Sequence, residues 1–315
     1  MRKRGRFRAL LKRVTASLGA LAAAALAWWI TSFVGCTRTE MLVLTLSGYP
    51  ACSGPQNLLA EEDAALLKRL DDRPRFQVQL SRQWPELTDW LRRAAGRNPV
   101  IVYVSAPILC LSATSGPEEP SGVFLLSPHF DYVQTADSNP DWAESLIPLD
   151  GLADGLRTLP PEQPKLVLLD VCYRGDDWRL GAIQNDLTDK LRQPFQGIAN
   201  LAVICSCDAG EKSWRVSHIG PAGRPQSVFA YFVFRGLQGD ADQSPRNGRV
   251  TAAELYDYVR RQTNNWVQEN RDVRGQHPVL VSGPGNGDAL AFTIARVRYG
   301  GAKSQRPLEN QPAGS

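Results

Sequence analysis

Cysteine is scarce for so long a chain, with six residues in 315 (Cys36, Cys52, Cys110, Cys172, Cys205 and Cys207), and that excludes a dense disulfide framework. There is no CxxC pair, and the three histidines (His129, His218 and His277) are scattered, so a zinc site is not expected. No cofactor is implied. Acidic residues are missing altogether before Glu40, whereas seven basic ones (Arg2, Lys3, Arg4, Arg6, Arg8, Lys12 and Arg13) crowd the start. Without those seven, 29 basic residues face 32 acidic ones, so the net charge of +4 becomes −3 for the body. A nucleic-acid footprint needs basic residues clustered on the folded part, and none is present there. Internal repeats and low-complexity linkers are absent as well, which leaves one undivided body.

Charge is absent from Val14 to Val34, VTASLGALAAAALAWWITSFV. As a helix this run would extend roughly 31 Å, close to the thickness of a bilayer core. Trp28 and Trp29 would then lie toward the far interface, and the basic start would stay in the cytoplasm. Three readings fit: an uncleaved signal anchor, a lipoprotein signal ending on Ser32-Phe33-Val34-Gly35-Cys36, or a cleaved secretory signal. Each puts the remainder outside the cytoplasm, at a bacterial inner membrane or on a lipid anchor. The organisation expected is a basic n-region at 1–13, a transmembrane helix at 14–35, a folded domain at 40–298 and a disordered tail at 299–315.

The body alternates strands and helices. Met41 to Leu46, Pro99 to Val104, Lys165 to Cys172 and Leu201 to Cys205 read as buried strands, and Phe76 to Leu80, which alternates apolar and polar, as an edge strand. Val123 to Leu126 reads as one arm of a hairpin. Helices are expected at 60–70, 84–93, 152–159, 186–191, 227–237 and 251–266, the last opened by a capping box of Thr251 and Glu254. Such strand–helix–strand units predict a mainly parallel sheet flanked by helices. Asn247, Gly248 and Glu254 match three positions of a calcium loop, but Gln243 and Pro245 stand where ligands are required, so the segment reads as a turn.

KLVLLDVCYRG, residues 165–175, holds the most information. An apolar run ends on Asp170, Cys172 and Gly175, and ligand or catalytic groups of open α/β sheets sit beyond the carboxyl ends of strands. Cys172 is a candidate nucleophile; the competing reading is a small buried cysteine that only packs.

Four segments together resemble the caspase and metacaspase peptidases, especially bacterial caspase-like members. They are KLVLLDVCYRG, LAVICSCDAGEKSW, SVFAYFVFRGLQGDAD, and NGRVTAAELYDYVRR followed by QHPVL. The resemblance implies a caspase-like three-layer α/β sandwich with Cys172 at the nucleophile position. It implies that Asp170 helps to hold a basic substrate side chain, and that Cys207, Asp208 and Glu211 border the specificity pocket. The family delivers its histidine from a Ser-Gly-His-Gly turn. The corresponding residues here are Ser105-Ala106-Pro107-Ile108, so Pro107 stands at the histidine position.

A thiol with a free pKa near 8.5 needs a base or a positive charge to become a good nucleophile. His129, in Leu126-Ser127-Pro128-His129-Phe130-Asp131, is the candidate substitute. Three functions follow: an inactive binding or scaffolding module for a protein or peptide, an active cysteine endopeptidase with a displaced base, and a redox protein using Cys172 and Cys207.

Overall fold

The computed structural model describes residues 38–49, 57, 59–111, 121–128, 145–173, 187–243, 245–281 and 290–297. The basic start, the apolar run, His129 and the tail lie outside the described residues, as do the anchor readings that rest on them. Among the described residues no helix is long and apolar enough to cross a membrane.

The main sheet is built from apolar runs that match the expected strands. Strand β1 (Thr39–Thr45) is followed by helix α1 (Ala60–Lys68), strand β2 (Phe76–Ser81) and helix α2 (Trp84–Ala94). Then come β3 (Val100–Leu111), β4 (Gly122–Leu126), β5 (Leu146–Pro148), α3 (Asp150–Arg157), β6 (Lys165–Tyr173), α4 (Leu187–Arg192) and β7 (Leu201–Cys205). A hairpin of β8 (Arg215–Ile219) and β9 (Arg224–Ser227) leads into α5 (Val228–Arg235). The chain continues through β10 (Arg249–Thr251), α6 (Ala252–Asn270), β11 (Val279–Val281) and β12 (Thr293–Arg296).

Strands run in the order β11-β7-β6-β3-β1-β2. The β2–β1, β1–β3, β3–β6 and β6–β7 pairs are parallel, and β11 closes the far edge antiparallel to β7. β2 is an edge strand, as its alternation predicted: Phe76 and Val78 are buried and Gln77 is exposed, whereas Leu80, of the same parity as Phe76 and Val78, departs from the pattern at 43% exposed. Alternate residues of each inner strand serve two cores. Leu42, Val102, Val167 and Val203 pack under α2, α3 and α4, whereas Met41, Ile101, Leu168 and Ile204 pack under α1, α5 and α6. Helices therefore flank both faces, which is why the inner strands are apolar throughout. At the amino end of β6, buried Lys165 donates to the carbonyls of Pro160, Gln163 and Ala199.

One local expectation is corrected. Residues Ser105 to Ile108 form no turn; β3 runs through them, in register with β6 as far as Ile108 opposite Tyr173. The β1 pairing ends at Ser105, whose carbonyl accepts from Leu46 N–H, and the β4 pairing starts at Ile108. Pro107 shares the strand parity of Ser105, so its missing N–H faces the gap between the two partners and breaks no ladder bond.

The capping box of Thr251 and Glu254 forms at the start of α6 as expected. The Asn247–Gly248 segment is a turn: Asp242 accepts both of its backbone N–H groups at 3.1 and 2.8 Å.

Candidate functional site

The chain visits β2 on one side of β1 and then β3 on the other, so the direction of winding reverses between β1 and β3. Open α/β sheets bind their ligands beyond the carboxyl ends of the strands at such a reversal. The described structure places a buried polar cluster at that end of the sheet.

Its centre is Asp170, fully buried near the end of β6. One oxygen accepts from the Tyr103 hydroxyl of β3 at 2.8 Å, the other from the Ser213 hydroxyl at 2.9 Å. Burial and the Asp170 charge hold the Tyr103 phenol well above its ordinary pKa, so it remains a donor. Beside it, Arg215 at the start of β8 donates to the Ser105 hydroxyl at 3.2 Å. Asn57 spans the reversal point itself, donating to the Leu46 carbonyl at 3.0 Å and to the Ser105 carbonyl at 3.1 Å. It holds the ends of β1 and β3 together where their own ladder stops.

A second carboxyl enters from α1. Asp63 is fully buried; its Oδ1 accepts from Ser227 N–H at 2.8 Å, and its Oδ2 has no hydrogen-bond partner among the described residues. Burial and the neighbouring Asp170 push its pKa well above the ordinary carboxylate range, against the opposing pull of Ser227 N–H and Arg215. The same Ser227 caps α5 through Ala230 N–H, so Asp63 ties α1 to the start of α5.

Cys172 is the penultimate residue of β6, paired in register with Pro107. This puts the cysteine backbone at the carboxyl end of the central strand, two residues beyond Asp170. The loop after β7 carries the other residues that the resemblance marked. Cys207 is buried, with its thiol 3.9 Å from the Val171 carbonyl. Asp208 accepts from the Thr188 hydroxyl of α4 at 2.8 Å, which pins the loop to that helix. Glu211 accepts the His277 backbone N–H at 2.6 Å, and its other oxygen lies 2.5 Å from His277 Nδ1. Next to His277, buried Gln276 accepts from Trp214 N–H at 2.9 Å and donates to the Ser206 carbonyl at 2.7 Å. The loop is thus clamped from both sides before it delivers Ser213 and Arg215 to the cluster.

The structure therefore brings Asp170 together with Ser213, Arg215, Tyr103 and Asp63, while Glu211 and Asp208 act as struts of the loop. His218 lies on the exposed face of β8, with Nδ1 2.9 Å from the Ser217 hydroxyl. His129, the candidate substitute base, falls outside the described residues. Sequence reasoning missed Asp63, Asn57 and Arg215. Asp63 had a signal: it stands three and four residues before Leu66 and Leu67, on the apolar stripe of α1. Asn57 and Arg215 had none, since their partners are distant in the chain.

No protein-family model matches the sequence, and no curated protein matches it. Among solved structures the chain is similar to a protein of Geobacter sulfurreducens, at 13% identity and a TM-score of 0.49, covering 83% of this chain and 100% of that one. It is also similar to caspase-1 from Spodoptera frugiperda, at 13% identity and a TM-score of 0.48, covering 78% of this chain and 87% of that one.

Proposed function

We propose that this chain is a membrane-tethered, cysteine-peptidase-like domain of caspase type that has lost catalysis and serves, outside the cytoplasm, as a binding or scaffolding module for a protein or peptide. One observation carries the reading: β3 continues as a paired strand through Ser105, Ala106, Pro107 and Ile108, with Pro107 opposite Cys172. The family's base comes from a turn at this point, and a proline in a continuous strand offers neither the turn nor a titratable group. A thiol with no base beside it stays mostly protonated at neutral pH and attacks poorly. Of the described histidines, His277 is engaged by Glu211, and His218 is exposed beside Ser217. The polar cluster supports a binding role, because Asp170, Ser213 and Arg215 are held in fixed positions at the crevice of the sheet.

The test is a peptidyl acyloxymethyl ketone probe on the full chain in detergent, with Cys172→Ala as control. The expected result is no labelling of Cys172 and no hydrolysis of fluorogenic peptides. Turnover that Cys172→Ala abolishes would establish the active alternative, with a base such as His129.

A further inference from the structure

The parallel strands of the main sheet all start at one end of the molecule, and a row of backbone hydrogen bonds marks that end. Thr39 N–H donates to the Arg75 carbonyl at 2.8 Å, Glu40 N–H to Pro99 at 2.9 Å, Val100 N–H to Pro164 at 2.9 Å and Lys165 N–H to Asn200 at 2.8 Å. The segments that enter this row carry arginine. Arg38 precedes β1, Arg73 and Arg75 precede β2, and Arg97 precedes β3. The Thr39 hydroxyl donates to the Ile294 carbonyl at 2.6 Å, which brings the β10–β12 pair to the same end, where Arg249 and Arg296 stand directly opposite each other.

Among the described residues Arg38, Arg73, Arg75, Arg97 and Arg249 form no ion pair. The carboxylates at this end are fewer and partly engaged. Glu40 accepts from the Asn98 amide at 2.9 Å, and Asp71 from Val78 N–H and Lys68 at 3.0 Å each, whereas Asp72 and Glu162 are exposed. Like charges directly opposite on paired strands repel, so the Arg249–Arg296 pairing gains from a negative partner. No basic run of the sequence shows this face; the register of the sheet collects it from separate segments.

Four peptide steps separate Val34, the last residue of the uncharged run, from Arg38, and they span at most about 14 Å. A bilayer that takes up the run therefore lies beside the amino end of the sheet, and a lipid on Cys36 leaves it equally near. We propose that the arginine face docks on the anionic phospholipid headgroups of that bilayer, which turns the carboxyl ends of the strands, with Asp170 and Arg215, away from the membrane. The phosphodiester of a headgroup suits the guanidinium fork. Each arginine held at an anionic surface strengthens attachment by about fivefold. The inference rests on the membrane-tethered reading and adds an orientation to it.

Arginine footprinting with phenylglyoxal, read by mass spectrometry, tests it on the full chain at low salt. The chain is placed in vesicles of phosphatidylcholine and in vesicles of a two-to-one mixture with phosphatidylglycerol. Arg73, Arg97 and Arg249 should react at least about fivefold more slowly in the anionic vesicles, with the difference lost at high salt. Arg260 and Arg274, exposed on α6 and just after it, should react alike in both. Arg73→Gln/Arg97→Gln alters two exposed side chains, so the melting temperature should hold while Arg249 returns toward its rate in phosphatidylcholine. Extraction of the chain from phosphatidylcholine vesicles by alkaline carbonate would remove the tether and the docking with it. The docking alone is overturned if the chain is retained but these arginines react equally in both bilayers. It is overturned equally if Arg260 slows as much as Arg249, or if a soluble oligonucleotide protects the face and anionic lipid does not.

Discussion

Pro107 and Cys172 face each other as register partners across the β3–β6 ladder. A side chain at position 107 is therefore carried by a strand paired along its length with β6, whereas a turn would project it over the strand end. We expect Pro107→His alone to remain without peptidase turnover in a fluorogenic peptide assay, because Ala106 and Ile108 keep the backbone extended. Measurable turnover in that single variant would show that the strand geometry is no obstacle.

Asp63 ties stability to pH. Its carboxyl binds a proton more tightly in the folded chain than its ordinary pKa of 3.8 allows, so the folded state carries more protons than the unfolded one. Stability should then fall as pH rises from about 4 through the raised value and level off above it. Asp63→Asn keeps an oxygen for Ser227 N–H and removes the ionisation. Thermal melts should show the variant at least as stable as wild type at pH 8, with its advantage disappearing toward pH 4. Asp63→Ala instead orphans the Ser227 N–H and should cost about 1–3 kcal/mol near pH 4, and less as pH rises and the wild type loses stability of its own.

Tyr103→Phe removes the buried donor to Asp170 while keeping the ring volume. Asp170 retains Ser213 but loses its bond inside the core. A loss of about 1–3 kcal/mol in urea unfolding is expected, as for a buried group left unsatisfied. Ser213→Ala, at a partly buried bond, should cost less. Equal stability of Tyr103→Phe and wild type would mean that the phenol does not serve the carboxylate.

Gly275→Ala combines a left-handed backbone with a clash against Asn264. Strain of about 1–3 kcal/mol is expected from the backbone conformation alone. Limited proteolysis should then cut first near residues 272–277, where Gln276 and His277 would release the loop after β7. Uniform loss of stability without such a local cut would argue against that coupling.

Gln276→Leu preserves bulk but leaves the Trp214 N–H and the Ser206 carbonyl without their buried partner. We expect a loss of about 2–4 kcal/mol, one unmet group at each end of the former bridge, read by chemical denaturation.

The elements of the sheet could be read from local pattern because their cause is local. Leu42, Val102, Val167 and Leu168 belong to runs apolar on both sides, which only strands covered on two faces sustain, and Phe76 to Leu80 alternates because β2 is an edge. The capping box at Thr251 and Glu254 lies within one helical turn, so it was equally visible. The position of Cys172 and Asp170 at a strand end followed from the abrupt end of an apolar run.

What the tertiary structure decided is who meets whom. Asp63 and Ser227 are joined by a hydrogen bond across 164 positions of sequence, and Arg215 and Ser105 across 110. Such pairings depend on the order in which parallel strands assemble, and no period or spacing encodes that. The Ser105–Ile108 segment is the sharpest case. Pro107 argues against a strand interior, yet the ladder to β6 holds Ser105 to Ile108 extended, with the β1 pairing ending at Ser105 and the β4 pairing starting at Ile108. Local propensity is worth a fraction of a kcal/mol per residue, and the pairing of whole strands overrides it.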